Sequence, residues 1–398
     1  MSISMLRPVG SRVSEPVAGS TPEDFPWRIN YRHEWTESGT SALALAIGLA
    51  IDARAVAGPP EVILPAYGCP DLVAAVLFHG ARPVLVDLAP GSPHMDPAAL
   101  EKAIGINTVA VVAVSFLGLG EDLRALRELL RGTSVWLIED SAQAFPPASS
   151  MQGMADCVVL SFGRGKPINL MGGGALLIHH DHSTQASKLL AHYPAGFVRQ
   201  IDARWHLRRH LFNLLLSPPL YGLLLRVPFL GVGATRFHPL EKITREGPVE
   251  AAFWGGVDAY RSRPDWATEY RRALGQAELN GWLDLTGNRW QDAGAEKGNA
   301  LPCHLLRYPL LAPDRQLRDR AVAALRRGGY GANAFYNQPL PEIPGLEQVF
   351  GASAESFPNA CDFAGRLITL PSHQDVRERD IHRIVEIIGA VNAARYRE

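Results

Sequence analysis

The chain has 398 residues, 47% of them apolar, with 39 basic against 40 acidic side chains and a formal charge of −1. That length holds one large or two ordinary domains around a substantial core. The even mix of signs leaves no electrostatic footprint for nucleic acid. Only five of the basic residues are Lys (Lys102, Lys166, Lys188, Lys242 and Lys297), so few positions can perform amine chemistry.

In chain order, residues 1–30 read as a surface arm. Their first stretch, MSISMLRPVGSRVSEPVAGSTPEDFP, has no apolar core behind its first Arg, so no secretory signal peptide is expected in it. From Ser38 to Ile178, short apolar runs alternate with longer amphipathic ones. The strands expected are Val62–Leu64, Pro83–Leu88, Val109–Phe116, Val135–Glu139, Cys157–Phe162 and Ala175–Ile178. The helices expected are Thr40–Arg54, Asp71–His79, Pro97–Ile104 and Leu123–Leu130, the third opened by Asp96 as cap and Pro97 as first residue. Such alternation implies an α/β domain over residues 31–195, its mostly parallel sheet covered on both faces.

Residues 196–300 change to Arg-rich helical and irregular segments, expected to connect the domains and meet a second subunit. Within them, residues 211–233 are apolar but carry Pro218, Pro219, Arg226 and Pro228, so no uncharged run reaches the ~20 apolar residues a spanning helix needs. Burial against a partner subunit is the favoured reading. A membrane-surface contact is the alternative, which the broken periodicity disfavours. Residues 301–398 form a smaller α/β domain closing in a helix near Arg379–Tyr396, whose Ile381, Ile384, Val385, Ile388 and Val391 share one face. Cys69, Cys157, Cys303 and Cys361 lie far apart, which fits neither a zinc site nor a disulfide framework and points to a reducing compartment, the cytoplasm. No metal is expected.

Segments of the first domain carry chemistry at what would be one edge of the sheet, where ligands bind beyond the carboxyl ends of parallel strands. Ser38-Gly39-Thr40-Ser41 opens an Ala- and Leu-rich helix, either as a plain cap or as an anion site made by free amides and the helix dipole. The segment from Trp136 to Gln143 delivers Asp140 and Gln143 to a strand end, where a helix cap or a solvated end reads equally well. Ser161 is followed by Gly163-Arg164-Gly165-Lys166 and then the run Gly172-Gly173-Gly174. A Lys between glycines in an Arg-rich chain stands out, because a desolvated Lys becomes a neutral nucleophile and Arg does not. An anion site, a carboxylate and a reactive Lys together match the needs of pyridoxal phosphate.

At these residues the sequence resembles the DegT/DnrJ/EryC1/StrS family of pyridoxal-phosphate aminotransferases, fold type I. The match runs in order through SGTSALALAI, VILPAYGCPDLVAAVLFHGARPVLVDL, HMDPAALEKAI, LIEDSAQA, LSFGRGKPINLMGGGALL and LITLPSHQDVRERDIHRIVEII. The resemblance implies that Lys166 binds the cofactor carbon and shuttles a proton, and that Asp140 holds the pyridine nitrogen protonated. It further implies that Gln143 bonds near the ring hydroxyl, and that Ser161 with Gly39, Thr40 and Ser41 holds the phosphate. Tyr67 or Cys69 would cover the ring face, and Tyr336 and His373 are candidates for substrate contact, each with a packing role as its alternative.

The implied reaction moves an amino group from an amino acid, glutamate first among them, to a keto-sugar nucleotide within a homodimer. Ser115 and Phe145-Pro146 stand where relatives carry His and His-Gly. These departures leave open a non-sugar ketone or aldehyde as acceptor, or a cofactor-binding regulator without turnover.

Overall fold

The computed structural model describes residues 5–17, 25, 27–150, 152–193, 200–225, 235–247, 250–277, 279–287, 303–351 and 356–395. Seven strands among these residues build the larger sheet: β1 (Tyr31–Thr36), β2 (Glu61–Pro65), β3 (Arg82–Val86), β4 (Thr108–Val114), β5 (Trp136–Asp140), β6 (Cys157–Ser161) and β7 (Gly174–His179). They lie in the order β1-β7-β6-β5-β4-β2-β3. The run from β3 to β6 is parallel, and β7 is antiparallel to both β6 and β1. Strand β4, TVAVVAV, is buried at every residue, as expected of a central parallel strand with helices on both faces.

The expected strands are all present, shifted at their ends by a few residues. The larger difference is β1. Its sequence YRHEWT has no apolar run, because it is an edge strand whose inner positions are only half-buried.

Helix α1 (Gly39–Ala53) packs on one face of this sheet with α2 (Asp71–Phe78) and α5 (Ser183–Leu190), while α3 (Pro97–Ala103) and α4 (Leu123–Leu129) cover the other. The first twelve residues of α1 are buried almost all round, which explains its unusual wealth of Ala and Leu and its lack of charge before Asp52. Ser38 caps it as expected, accepting from the Ser41 N–H.

The connecting region supplies α6 (Ala203–Leu215), α7 (Pro218–Leu224), α8 (Glu250–Arg261) and α9 (Trp266–Gly275). It is not one unit. Phe253, Trp254, Val257 and Tyr260 of α8 join an aromatic core with Phe25, Trp27, Phe145 and Phe162 on the large domain, whereas Tyr270 and Ala273 of α9 enter the core of the small one. The small domain adds α10 (Arg315–Arg327), α11 (Glu347–Phe350), α12 (Pro358–Arg366) and α13 (Glu378–Ala394) around an antiparallel sheet of β8 (Leu283–Asp284), β9 (Arg307–Leu311) and β10 (Leu367–Pro371). Ile381, Ile384 and Ile388 of α13 are fully buried, as their shared face requires.

The N-terminal residues overturn the surface-arm expectation. Arg7 and Val13 are each 1% exposed and Trp27 is fully buried, so the arm is threaded through both domains. Of residues 211–233, those up to 225 are described and form the end of α6 and α7, with Leu211, Leu214, Leu215, Leu223 and Leu225 exposed; 226–233 lie outside the described residues. Among the described residues no helix is long and apolar enough to cross a membrane, and no group of three or more His, Cys, Asp or Glu could hold a metal ion.

Candidate active site

The parallel strands bring their carboxyl ends to one edge, and the chemistry-bearing segments meet there. The end of β6 abuts the start of α1 so closely that a Cβ added to Gly39 would lie 2.7 Å from the Ser161 Cβ. Behind it, Gly173 donates to the Glu37 carbonyl, and a Cβ on Gly174 would come within 2.5 Å of the Ser38 backbone. The glycine run is therefore required for this approach.

The result is a helix start beside a serine hydroxyl. Among the described residues the Thr40 amide has no acceptor, whereas Gly39 follows an isolated parallel bridge of Ser38 with Gly173, and the amides of Ser41 and Ala42 are satisfied by Ser38. A free first-turn amide beside the Ser161 hydroxyl, with the helix dipole behind it, fits a phosphate. The Thr40 hydroxyl, expected to face that anion, donates instead to Asp71 at 3.0 Å, and the Ser41 hydroxyl bonds to Ser38 and Glu37.

Asp140 ends β5 at 8% exposure. One carboxylate oxygen accepts from the Ala142 N–H at 2.9 Å. Burial raises its pKa above the usual carboxylate range, and the Ala142 N–H and the charge of Lys166 act against that rise. A carboxylate so placed, with Lys166 as its neighbouring cation, fits a protonated ring nitrogen. Its sequence neighbour Glu139 differs: three donors (Ser141, Ala148 and Ser149) satisfy it within the fold.

Lys166 follows Gly165, whose φ of +76° suits glycine, in a turn closed by the Lys166 N–H on the Gly163 carbonyl. The N-terminal arm buttresses this turn. The Ser11 hydroxyl donates to the Pro167 carbonyl at 3.1 Å and Asn169 donates to the Ser11 carbonyl at 2.8 Å.

Cys69 and Tyr67 separate into two roles. Cys69 is half-buried and feels the charges of Asp71 and Lys166; burial pushes its thiol up to about 12, so it stays neutral. Tyr67 is 2% exposed, packs edge-on against Phe116, Phe363 and Tyr336, and donates its hydroxyl to the Tyr336 carbonyl at 2.9 Å. The Tyr336 hydroxyl lies beside Cys69. Tyr67 and Tyr336 thus form a wall beside Cys69, with Cys69 nearer the amine.

Gln143 is buried and accepts the Leu117 N–H at 3.0 Å through its carbonyl oxygen, which leaves its amide N–H groups as donors. His373 stands apart from this cluster. It donates through Nε2 to the Arg7 carbonyl at 2.9 Å and accepts from the Asp375 N–H at 3.3 Å. Burial, then the Arg7 charge, pushes its pKa down to about 3, so it is neutral and structural. Phe145 points into the aromatic core against Trp27 and Tyr260, so this departure fills the interior and not the cleft.

Three contributors escape the sequence reading: Asp71 beside Thr40, the arm residue Ser11, and Arg307 on the small domain. Arg307 had a signal, a lone charge inside the apolar strand LLRYPLL.

Residues 35–212 and 259–389 match the DegT/DnrJ/EryC1/StrS aminotransferase family. The chain belongs to this family. Among its curated relatives is dTDP-3-amino-3,4,6-trideoxy-alpha-D-glucose transaminase of Micromonospora megalomicea, 26% identical over 88% of this chain and 84% of the relative. Another is UDP-N-acetyl-3-dehydro-alpha-D-glucosamine 3-aminotransferase of Acidithiobacillus ferrooxidans, 27% identical over 88% and 82%. Among solved structures, the PMP form of a protein assigned as a sugar aminotransferase of Streptococcus pneumoniae superposes with a TM-score of 0.66 at 19% identity, covering 96% of this chain and 94% of that one. The fold is that of these aminotransferases, and residues 213–258, with α7 and most of α8, fall outside the family match.

Proposed function

We propose that the chain is a pyridoxal-phosphate-dependent aminotransferase that moves an amino group from an amino acid, L-glutamate in our reading, to the keto group of a nucleotide-linked sugar. One observation carries the reading: a buried carboxylate, Asp140, whose neighbouring cation is Lys166, lies at the same sheet edge as the helix start of α1 with its free Thr40 amide. The two curated relatives, which act on dTDP- and UDP-linked sugars by name, support the acceptor class.

When bound, pyridoxal phosphate supplies an electron sink for charge developing at the substrate α-carbon. The residues of this chain do the rest. Gly39, Thr40 and Ser161 bind the phosphate through backbone amides and the serine hydroxyl, with Ser41 bracing the helix start through Ser38 and Glu37. Asp140 holds a proton on the ring nitrogen by ion pairing in a site with little water. Gln143 would donate to the ring oxygen, and Cys69, neutral and compact, would cover the ring with the Tyr67–Tyr336 wall behind it. Lys166 Nζ holds the cofactor and moves the proton at the substrate α-carbon.

The large domain over residues 31–195 holds the cofactor, and residues 301–398 close over the substrate. We read the assembly as a homodimer with its active sites at the subunit boundary, supported by the exposed leucines of α6 and α7. A reducing, cytoplasmic setting is supported by the four free cysteines.

The deciding experiment is the second half-reaction: the aminated cofactor form is presented with keto-sugar nucleotides and with simple ketones and aldehydes. Transfer to keto-sugar nucleotides is expected. Transfer to the simple ketones alone would replace the acceptor class, and absence of any exchange with amino acids would remove the reaction.

A further inference from the structure

Four arginines of the described chain are exposed by less than a tenth: Arg7, Arg209, Arg307 and Arg318. Three have a carboxylate partner, respectively Asp375, Glu15 and Asp319. Arg307 pairs with no acidic side chain among the described residues. It stands in β9 opposite Pro371 of β10, 7% exposed. Its Nη1 donates to Asn333 at 2.6 Å and to Thr369 at 3.3 Å, both neutral, and its Nε is buried with no partner.

Burial lowers the pKa of this guanidinium to about 10, so at neutral pH it remains a charge without a counter-charge. Such a group is costly in the interior unless an anion completes it. The ionisable groups around it are the phenols of Tyr336, Tyr221 and Tyr67. Two of these form the wall beside Cys69 and Lys166. The Phe335 ring lies under the guanidinium, 4.6 Å from its carbon to the ring centre, and Phe335 holds a φ of +60°, uncommon for an aromatic residue. The fork is thus held flat and oriented by Phe335, Asn333 and Thr369, with donors left over.

We propose that Arg307 is the receptor for the carboxylate of the amino-acid donor, gripping it on the small-domain side while the amine meets Lys166. The assignment rests on the aminotransferase reading above. A planar guanidinium matches a carboxylate with two parallel hydrogen bonds, and the ion pair replaces a charge that the fold leaves uncompensated. The carboxylate is the shared feature of all amino-acid donors, so Arg307 selects the class and not the particular side chain.

The test uses the full chain as wild type, Arg307→Gln and Arg307→Lys, each loaded with pyridoxal phosphate. L-glutamate, L-glutamine, L-aspartate and a carboxylate-free primary amine are compared by the bleaching of the cofactor's visible absorption. For Arg307→Gln the ratio of amino-acid to amine reactivity is expected to fall about 100-fold, and for Arg307→Lys by less. A second readout needs no turnover: glutarate raises the melting temperature of wild type, with or without cofactor, and not that of Arg307→Gln. Equal loss with amino acids and amine would make Arg307 a packing residue and overturn the proposal. So would an unchanged ratio with a loss confined to the sugar-nucleotide half-reaction, which would assign the anion to a phosphate. If wild type fails to exchange with any amino acid, the aminotransferase reading falls, and the glutarate shift still decides whether Arg307 binds carboxylates.

Discussion

The two walls of the cleft are built on opposite electrostatic plans. The large-domain wall ends parallel strands and presents a buried carboxylate, Asp140, next to a single amine, Lys166. The small-domain wall rests on an antiparallel sheet and presents a buried cation, Arg307, with only neutral partners. Asp140 shares the single cation Lys166 and Arg307 faces no carboxylate among the described residues, so the two walls call for ligand charges of opposite sign. A cationic ring nitrogen bound on one side and an anionic donor on the other would complete both. By contrast the fold itself supplies three donors to Glu139 and pairs Arg7 with Asp375.

The largest break in this comparison comes from removing the amine. Lys166→Ala is expected to lower transamination by ~10⁴-fold or more, since proton transfer by a positioned side chain alone contributes up to about that factor. The cofactor would still bind through the phosphate site, so single-turnover kinetics on the loaded variant separate lost chemistry from lost binding. Asp140→Asn follows, with an expected loss on the order of 10³-fold because the electrostatic support of the ring nitrogen is gone. Its stability should move the other way. Asp140 carries a raised pKa in the fold, so its contribution is full below the unfolded carboxyl pKa and is lost as pH rises through the folded value. At neutral pH the cofactor-free variant is therefore expected to melt no lower than wild type, and a clear drop would show that Asp140 holds the fold as well as the ring.

The contrast between the walls also governs what could be read from the sequence. The parallel-strand side was legible because each strand is a continuous apolar run and each chemical residue follows one directly: Cys69 after β2, Asp140 on β5, Lys166 after β6. Their convergence at one edge is a property of parallel topology and needs no distances. The small-domain side was not legible in this way. Arg307, the Asn333–Phe335 stretch and Thr369 come from three separate segments, and only antiparallel pairing and a left-handed Phe335 bring them together. The arm was misread for a related reason. Arg7 and Ser11 look like surface residues until partners more than 150 positions away, Asp375 and Pro167, give their polar groups a buried home. His373 was ambiguous in sequence because a ligand contact and a backbone-bonded imidazole use the same side chain.

The arm supplies the third test, since it links the Lys166 turn to the small domain. Although burial alone would raise it, Arg7 and then Arg12 hold the Asp375 carboxyl below its usual range. Its contribution is present above the unfolded pKa of 3.8 and lost as pH falls through the folded value. Asp375→Asn strands Arg7 inside the protein. The expected cost is about 2–3 kcal/mol, below the ~3–5 kcal/mol of fully buried pairs because the Asp375 side chain is 22% exposed. Denaturant unfolding at neutral pH measures it, and the difference from wild type should shrink in acid. If the cost did not depend on pH, the pair would be a packing contact and not an electrostatic one.

The smallest effect sharpens what distinguishes Asp140 from a carboxyl that nothing will complete. Glu121, in the loop before α4, has no cation beside it among the described residues, and burial raises its pKa from 4.5 to about 8, with Asp122 adding to the rise and bonds to the backbone at Met95 and Val114 opposing it. The stability it contributes is full below pH 4.5 and drains away as pH rises toward about 8, because the unfolded chain releases the proton first. Glu121→Gln is therefore expected to match wild type in mild acid and to gain about 1 kcal/mol by pH 8, after which the difference levels off. Melting curves across that range give the profile. Adding pyridoxal phosphate provides the contrast: the cofactor should stabilise wild type and Glu121→Gln equally, whereas Asp140→Asn should lose part of that stabilisation. A cofactor effect that vanished in Glu121→Gln would place this carboxyl in the site and erase the difference between the two acids.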